Sequence, residues 1–312
     1  MTAVIAGQAA APAKPRLPSG RRGGSVVTAI RSNRKAMVGV VIFGVFAVMA
    51  AFPQLFTSVT DPQLRAFDVS LPPSREHLLG TTAFGQDIFA QLVYGTRQSL
   101  LIAIIAGAFA TVLSVLVGVS AGYLGGVGDG ALSLFTDVFL VIPTFPLIII
   151  LATYAGKGSI SVVIAVLVIT GWSYGARQLR SQTLSLRNRD FLEAARVRGE
   201  RRFYIIIVEV LPTMTSLIVA NFLGAALYAV LTAAGLQFLG LGDPSSNSWG
   251  TMLYWAQSQS ALQTGQVWWA IAPGLCVALL GASFALLNYA FDEISNPALR
   301  PVRRTRVKRT NP

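Results

Sequence analysis

Residues Ser99–Tyr123 read SLLIAIIAGAFATVLSVLVGVSAGY, twenty-five residues without a single charged side chain. As a helix rising 1.5 Å per residue the stretch is about 37 Å long, enough to cross a hydrocarbon layer of about 30 Å. A segment in lipid must satisfy its own backbone hydrogen bonds, so a helix is its expected form. Five more apolar runs are long enough to do the same: Ala36–Phe56, Ala131–Tyr154, Ser159–Ala176, Thr213–Leu239 and Trp268–Ile294. The ten-residue alternation of a membrane barrel is absent. The whole composition agrees, with 312 residues, 53% hydrophobic and only 12% charged, and a mean hydropathy of +0.60. A soluble globule would carry about a quarter charged residues. The reading is an all-α integral membrane protein of six spans.

The net charge of +12 suggests a nucleic-acid partner until the charges are placed. If the N-terminus is cytoplasmic and the spans alternate, 21 of the 25 Lys and Arg fall on the cytoplasmic side. That is the positive-inside bias, and it puts both termini in the cytoplasm without any need for nucleic acid. Residues 1–35 read as a disordered basic arm followed by an uncleaved first helix, 36–56. Residues 295–312 form a basic tail suited to anionic lipid. The segment 57–98 is too long for a hairpin and implies a small external subdomain. Near the water boundary of the 240–267 segment, Trp249, Tyr254, Trp255, Trp268 and Trp269 read as interface anchors. Cys276 has no partner cysteine, which excludes a disulfide framework.

Between the fourth and fifth spans lies Arg177–Pro212, neither apolar enough for lipid nor simple enough for a linker. At helical spacing Phe191, Leu192, Ala195 and Val197 give an apolar side, with Arg196, Arg198, Glu200, Arg201 and Arg202 around a break at Gly199. A short charged helical element joined to a span through Pro212 has the shape of a docking device. Glu193-Ala194-Ala195, then three residues, Gly199, and a distal Leu211-Pro212 resemble the EAA loop of ATP-binding-cassette importer permeases. This chain has Glu209 where that pattern has Ile.

A second stretch narrows the resemblance. His77-Leu-Leu-Gly-Thr81, Gly85-Gln-Asp87 and Leu92-Val-Tyr94-Gly95-Thr96-Arg97 are similar to the segment that enters the second helix in the dipeptide, oligopeptide and nickel importer family, with Thr82 and Gln86 as departures. Asp129 and Asp137 before Pro143, Phe238-Leu-Gly-Leu-Gly242 and Ser248-Trp249-Gly250 extend the similarity over about residues 36–300. The likeness is to the second of the two permease subunits and implies a type I importer fold, with a five-helix core over 99–294 and the coupling loop at 177–212. It also implies several partners: a homologous second permease, two ATP-binding cassette subunits, an extracytoplasmic substrate-binding protein and a bacterial membrane. ATP and Mg would be bound by the partner subunits, and no cofactor by this chain, which has no Walker motif. Glu193, Ala194, Ala195, Arg196, Arg198, Gly199, Leu211 and Pro212 would then form the ATPase-coupling site.

Three residues of the third predicted span are candidates for the translocation path. Asp137 is the one acid well inside a span, so it is a functional candidate, with helix positioning favoured over proton relay. Pro143 and Pro146 should kink the helix, as a hinge or as a fixed shape for packing. Gly118 and Gly122 make a small-x-x-x-small face that calls for close helix contact, inside the chain or with another subunit. The competing class is a stand-alone carrier or channel, which would show inverted repeats and intramembrane charge pairs.

Overall fold

The computed structural model describes residues 33–154 and 159–295; the basic tail, nearly all of the arm and the turn at Lys157 fall outside them. In chain order the helices are α1 (Arg34–Ala51), α2 (Ile88–Leu124), α3 (Gly126–Val141), α4 (Thr144–Tyr154), α5 (Ile160–Gly171), α6 (Ser173–Leu186), α7 (Asp190–Val197), α8 (Thr215–Phe238), α9 (Trp249–Ser258) and α10 (Val267–Ser295). Among the described residues the only β pairing is an isolated bridge, Thr81 to Asp87. Helices α1, α2, α8 and α10 are each long and apolar enough to cross a membrane, and the bent pairs α3–α4 and α5–α6 bring the number to six if each is one span.

The bends have local causes. Pro143 lacks the N–H that would bond the Phe139 carbonyl, and the residue before a proline is pushed out of the helical region. Ile142 accordingly sits at φ −64°, ψ 127°, and α3 meets α4 at 88°. The α5–α6 pair bends by 41° at Trp172, whose carbonyl accepts a hydrogen bond from Ser114 Oγ of α2 at 2.6 Å.

Helix α2 starts eleven residues before the apolar run that announced it. Asp87 is its N-cap, accepting from the Ala90 N–H at 2.7 Å. Its other oxygen lies 2.7 Å from His77 Nδ1, and both side chains are buried. The 77–87 stretch that looked like a family signature is therefore the fitting that starts this helix. With 37 residues, α2 is about 55 Å long. It is the central post of the bundle, packed against α1, α6 and α8.

Small residues let its neighbours approach. A Cβ on Gly118 would run into the Ala176 carbonyl, and one on Gly122 would lie 2.7 Å from Thr183 Cβ. The small-residue face is thus an internal contact between α2 and α6. Introducing a large side chain into packed structure costs about 1–3 kcal/mol, and backbone cannot yield as a side chain can. Gly118→Leu is expected to separate α2 from α6 and lower the midpoint of thermal unfolding in detergent by several degrees. Gly44, with open space around it, should accept alanine without such a shift.

At the other end of the post the interface-anchor expectation fails for two tryptophans. Trp249 is 0% and Trp269 1% exposed. Trp249 donates Nε1–H to the Leu92 carbonyl at 3.1 Å and meets Phe46 edge-on with centroids 5.1 Å apart. The reason is a helix that hydropathy alone could not reveal. Ser248 caps α9 through a capping box with Thr251, and the helix folds the Trp249 ring back onto α1 and α2. Trp268, half exposed, remains in an anchor-like setting.

Candidate functional site

The segment between α6 and α8 is a compact helical loop whose sequence alternates what it buries and what it displays. In α7, Leu192 and Ala195 are fully buried against Tyr123, Leu179, Leu186, Ile205 and Met214. The other half of the expected apolar side points outward, with Phe191 40% and Val197 83% exposed. Phe203 and Tyr204 on the following turn are also exposed. Isolated apolar residues on a surface mean little, but several large exposed ones in one short segment that also exposes Arg196, Arg198, Arg201 and Arg202 have the makeup of a docking face.

Gly199 makes the turn. Its φ is +80°, a left-handed conformation that side chains other than glycine's resist. Its N–H bonds the Arg196 carbonyl at 2.9 Å, and the Glu200 N–H bonds the Ala195 carbonyl at 3.2 Å. This pair of bonds is the Schellman ending of a helix. Nothing lies within 4 Å of where a Cβ would sit, so the glycine is needed for backbone shape and not for space. After the turn a three-residue helical piece, Arg202–Tyr204, runs into a π-helical stretch, Ile205–Val210, in which the Leu211 N–H reaches back five residues to Ile206 O. Pro212, which has no N–H to offer Val208, lies in the next turn, Leu211–Thr213, and Leu211 packs partly into the core around Met214. The widened register accommodates the proline, and the helical path is interrupted just after it at Met214, φ −101° and ψ 5°, before α8 begins at Thr215.

Of the other predicted coupling residues, Glu193 and Ala194 are exposed. Glu193 makes no ion pair with Arg189 or Arg196 and is free among the described residues. Arg196 instead donates to the Arg187 carbonyl at 2.9 Å and lies 5.6 Å over the Tyr123 ring. Arg198 reaches Glu209 at 3.7 Å, so the acid that departs from the EAA pattern holds the far side of the turn. A cleft of about 400 Å3 opens between Tyr123, Arg187, Arg196, Glu200 and Arg202.

The translocation-path candidates fall apart into different settings. Asp137 is half exposed and paired with Arg177 of α6 at 2.5 Å. Asp129 receives two hydrogen bonds from Arg180, at 2.6 and 2.9 Å. These two ion pairs tie α3 to α6, which is a positioning role. Pro143 and Pro146 are exposed at the bend and make no lining of their own. What the bends do frame is a cavity of about 460 Å3, lined by Phe139, Thr144, Thr170, Ser173, Asn221, Tyr228 and Asn288 among others, with no charged side chain among them. Tyr228 and Thr170 share a hydrogen bond at 3.0 Å. Sequence reasoning missed Asn221, Tyr228 and Asn288. The available signal was a carboxamide inside an apolar span, where a polar group needs a reason.

A second cleft, of about 380 Å3, lies at the α9 end between Arg65, Phe84, Gln86, Asp243, Trp255 and Trp269. There the Ser245 hydroxyl and N–H hold the Asp243 carboxyl below the usual carboxylate range.

The family model described as "Binding-protein-dependent transport system inner membrane component" matches residues 114–294, a range that takes in the loop, its glycine turn and both bent pairs. The chain belongs to this family. It is a permease, the non-catalytic membrane subunit of an ATP-binding-cassette importer, and the stand-alone carrier finds no support. The permease is 32% identical to the dipeptide transport system permease protein of Alkalihalophilus pseudofirmus over 87% of this chain and 88% of that one. It is 34% identical to the oligopeptide transport system permease protein of Mycobacterium tuberculosis over 75% and 80%, and 29% identical to that of Bacillus subtilis over 86% and 88%. An importer of this family implies ATPase and substrate-binding partners in addition to the membrane.

Proposed function

We propose that this permease carries di- and oligopeptides into a bacterial cell, lining half of a path whose other half is a homologous second permease. The substrate class rests on the peptide-transport names of relatives that match along most of the chain. One of two ATP-binding subunits docks on the Arg177–Pro212 loop, with Glu193, Arg196 and Arg198 around the exposed Phe191 and Val197, and an extracytoplasmic binding protein delivers the peptide. Both termini lie in the cytoplasm, where the basic segments belong. Closure of the nucleotide dimer moves the loop, and the Leu211-Pro212 junction passes that movement to α8. The single observation that carries the coupling reading is the glycine turn, which ends α7 where Phe191, Glu193 and Val197 stand exposed.

Uptake by the reconstituted complex tests it. With purified binding protein, dipeptides and oligopeptides are expected to raise the ATPase rate several-fold, while nickel chelates and haem leave it unchanged. A response to nickel chelate alone would move the permease to another substrate branch. Stimulation that persists after deletion of the exposed α7 surface would overturn the coupling assignment.

A further inference from the structure

The cavity between α5–α6 and α8 contains two amides that the protein leaves unanswered. Asn221 Nδ2 and Asn288 Oδ1 are both buried without a hydrogen-bond partner among the described residues. Buried polar groups are nearly always paired, because an unmade bond in an apolar setting costs about 1–3 kcal/mol. Those two atoms are closed off by the protein itself, but the other atom of each amide, Asn221 Oδ1 and Asn288 Nδ2, is not, has no hydrogen bond among the described residues, and belongs to a residue that lines the cavity, so an occupant would meet one acceptor and one donor there.

Three further features indicate what kind. The cavity sits at both helix breaks, touching Phe139 and Thr144 at one and Gly171 and Ser173 at the other. Broken helices are tolerated in a membrane where they line a water-filled or ligand-filled space. The second feature is chemical: its polar groups are neutral carboxamides and hydroxyls, with no charge among the described lining residues. Such a surface pairs with neutral donors and acceptors and leaves charged ends in water. Its volume of about 460 Å3 falls in the range of small-molecule sites, about 300–1,000 Å3. Finally, the Asn221 carboxamide is held in place, since it occupies the space a side chain on Gly175 would fill.

We propose that this cavity is an amide-reading site on the translocation path, where Asn221 and Asn288 hydrogen-bond the backbone amides of a passing peptide. Backbone amides are common to all peptides, so such a site grips its cargo without reading its side chains. The inference rests on the peptide-importer reading above and goes further by naming residues and the bonds they make.

The test uses the complete importer in proteoliposomes, with tri-alanine as the probe and peptide carried per ATP hydrolysed as the readout. Asn221→Leu and Asn288→Leu keep the approximate shape and remove the amide. Each is expected to lower the ratio at least ten-fold. Asn288→Gln, which retains a carboxamide, should recover most of the loss. An unchanged ratio in both assembled leucine variants overturns the inference alone. So does failure to assemble with Asn221→Ser as well as Asn221→Leu, which would make the amides contacts of the second permease. An unaltered complex that carries no tri-alanine and no other peptide overturns the substrate reading and this site with it.

Discussion

Gly199→Glu is expected to abolish ATP-driven uptake while the permease still inserts and assembles. The turn at this residue has φ +80°, and an L side chain in the left-handed region carries a penalty of roughly 1–2 kcal/mol. Because nothing lies within 4 Å of the missing Cβ, a side chain here starts in open space, and the buried face of Leu192 and Ala195 is expected to stay in place. The strain is relieved locally, by opening the bonds from Gly199 to Arg196 and from Glu200 to Ala195. That reopening re-aims the exposed end of α7, where Val197 stands out, and lengthens the lever to Pro212. Measured uptake per assembled complex should fall to background, with peptide-stimulated ATPase lost in parallel. Gly199→Asn is the control, since asparagine is the residue that most readily follows glycine into this conformation. Near-normal uptake is expected from it. Full activity in Gly199→Glu, or equal loss in both variants, would show that the turn's backbone geometry is not what couples the loop.

The largest effect on stability is expected at the opposite end of the bundle, from Trp249→Ala. Truncating a fully buried tryptophan costs about 3–5 kcal/mol. Trp249 also removes more than packing when it goes: its indole N–H bond to Leu92 O and its edge contact with Phe46 join α9 to α1 and α2. A fall of roughly 5–15 °C in the unfolding midpoint is expected, read by thermal denaturation in detergent. Trp268→Ala is the matched comparison, because Trp268 is half exposed, and it should move the midpoint little. A similar loss from both would mean that Trp249 serves as a bilayer anchor after all.

These two positions mark where sequence reasoning held and where it stopped. The break at Gly199 was legible, because a glycine between a charged helical pattern and an apolar one has a local conformational meaning. Trp249 was not, because an aromatic near a predicted boundary has the same local pattern whether it faces lipid headgroups or a helix 157 residues earlier in the chain. The same division applies to the path candidates. Pro143 announces the bend in the third span through its missing N–H, but whether Asp137 enters the path depends on Arg177, which a different helix brings to it. Asn221 and Asn288 are single polar letters on separate helices, and their common cavity exists only once α8 and α10 are packed.

What the sequence determined by itself is everything that depends on near neighbours along the chain. Apolar runs made helices of spanning length, proline and glycine set the bend and the turn, and the order of charges set the 177–212 loop apart from lipid. The tertiary structure alone decided which residues share a surface. It put Gly118 and Gly122 against α6, turned the 77–87 signature into a helix cap, sent Trp249 inward and gathered two amides around one space. The physical reason is range: backbone conformation responds to a few adjacent residues, whereas burial and hydrogen-bond pairing are settled between helices far apart in the chain.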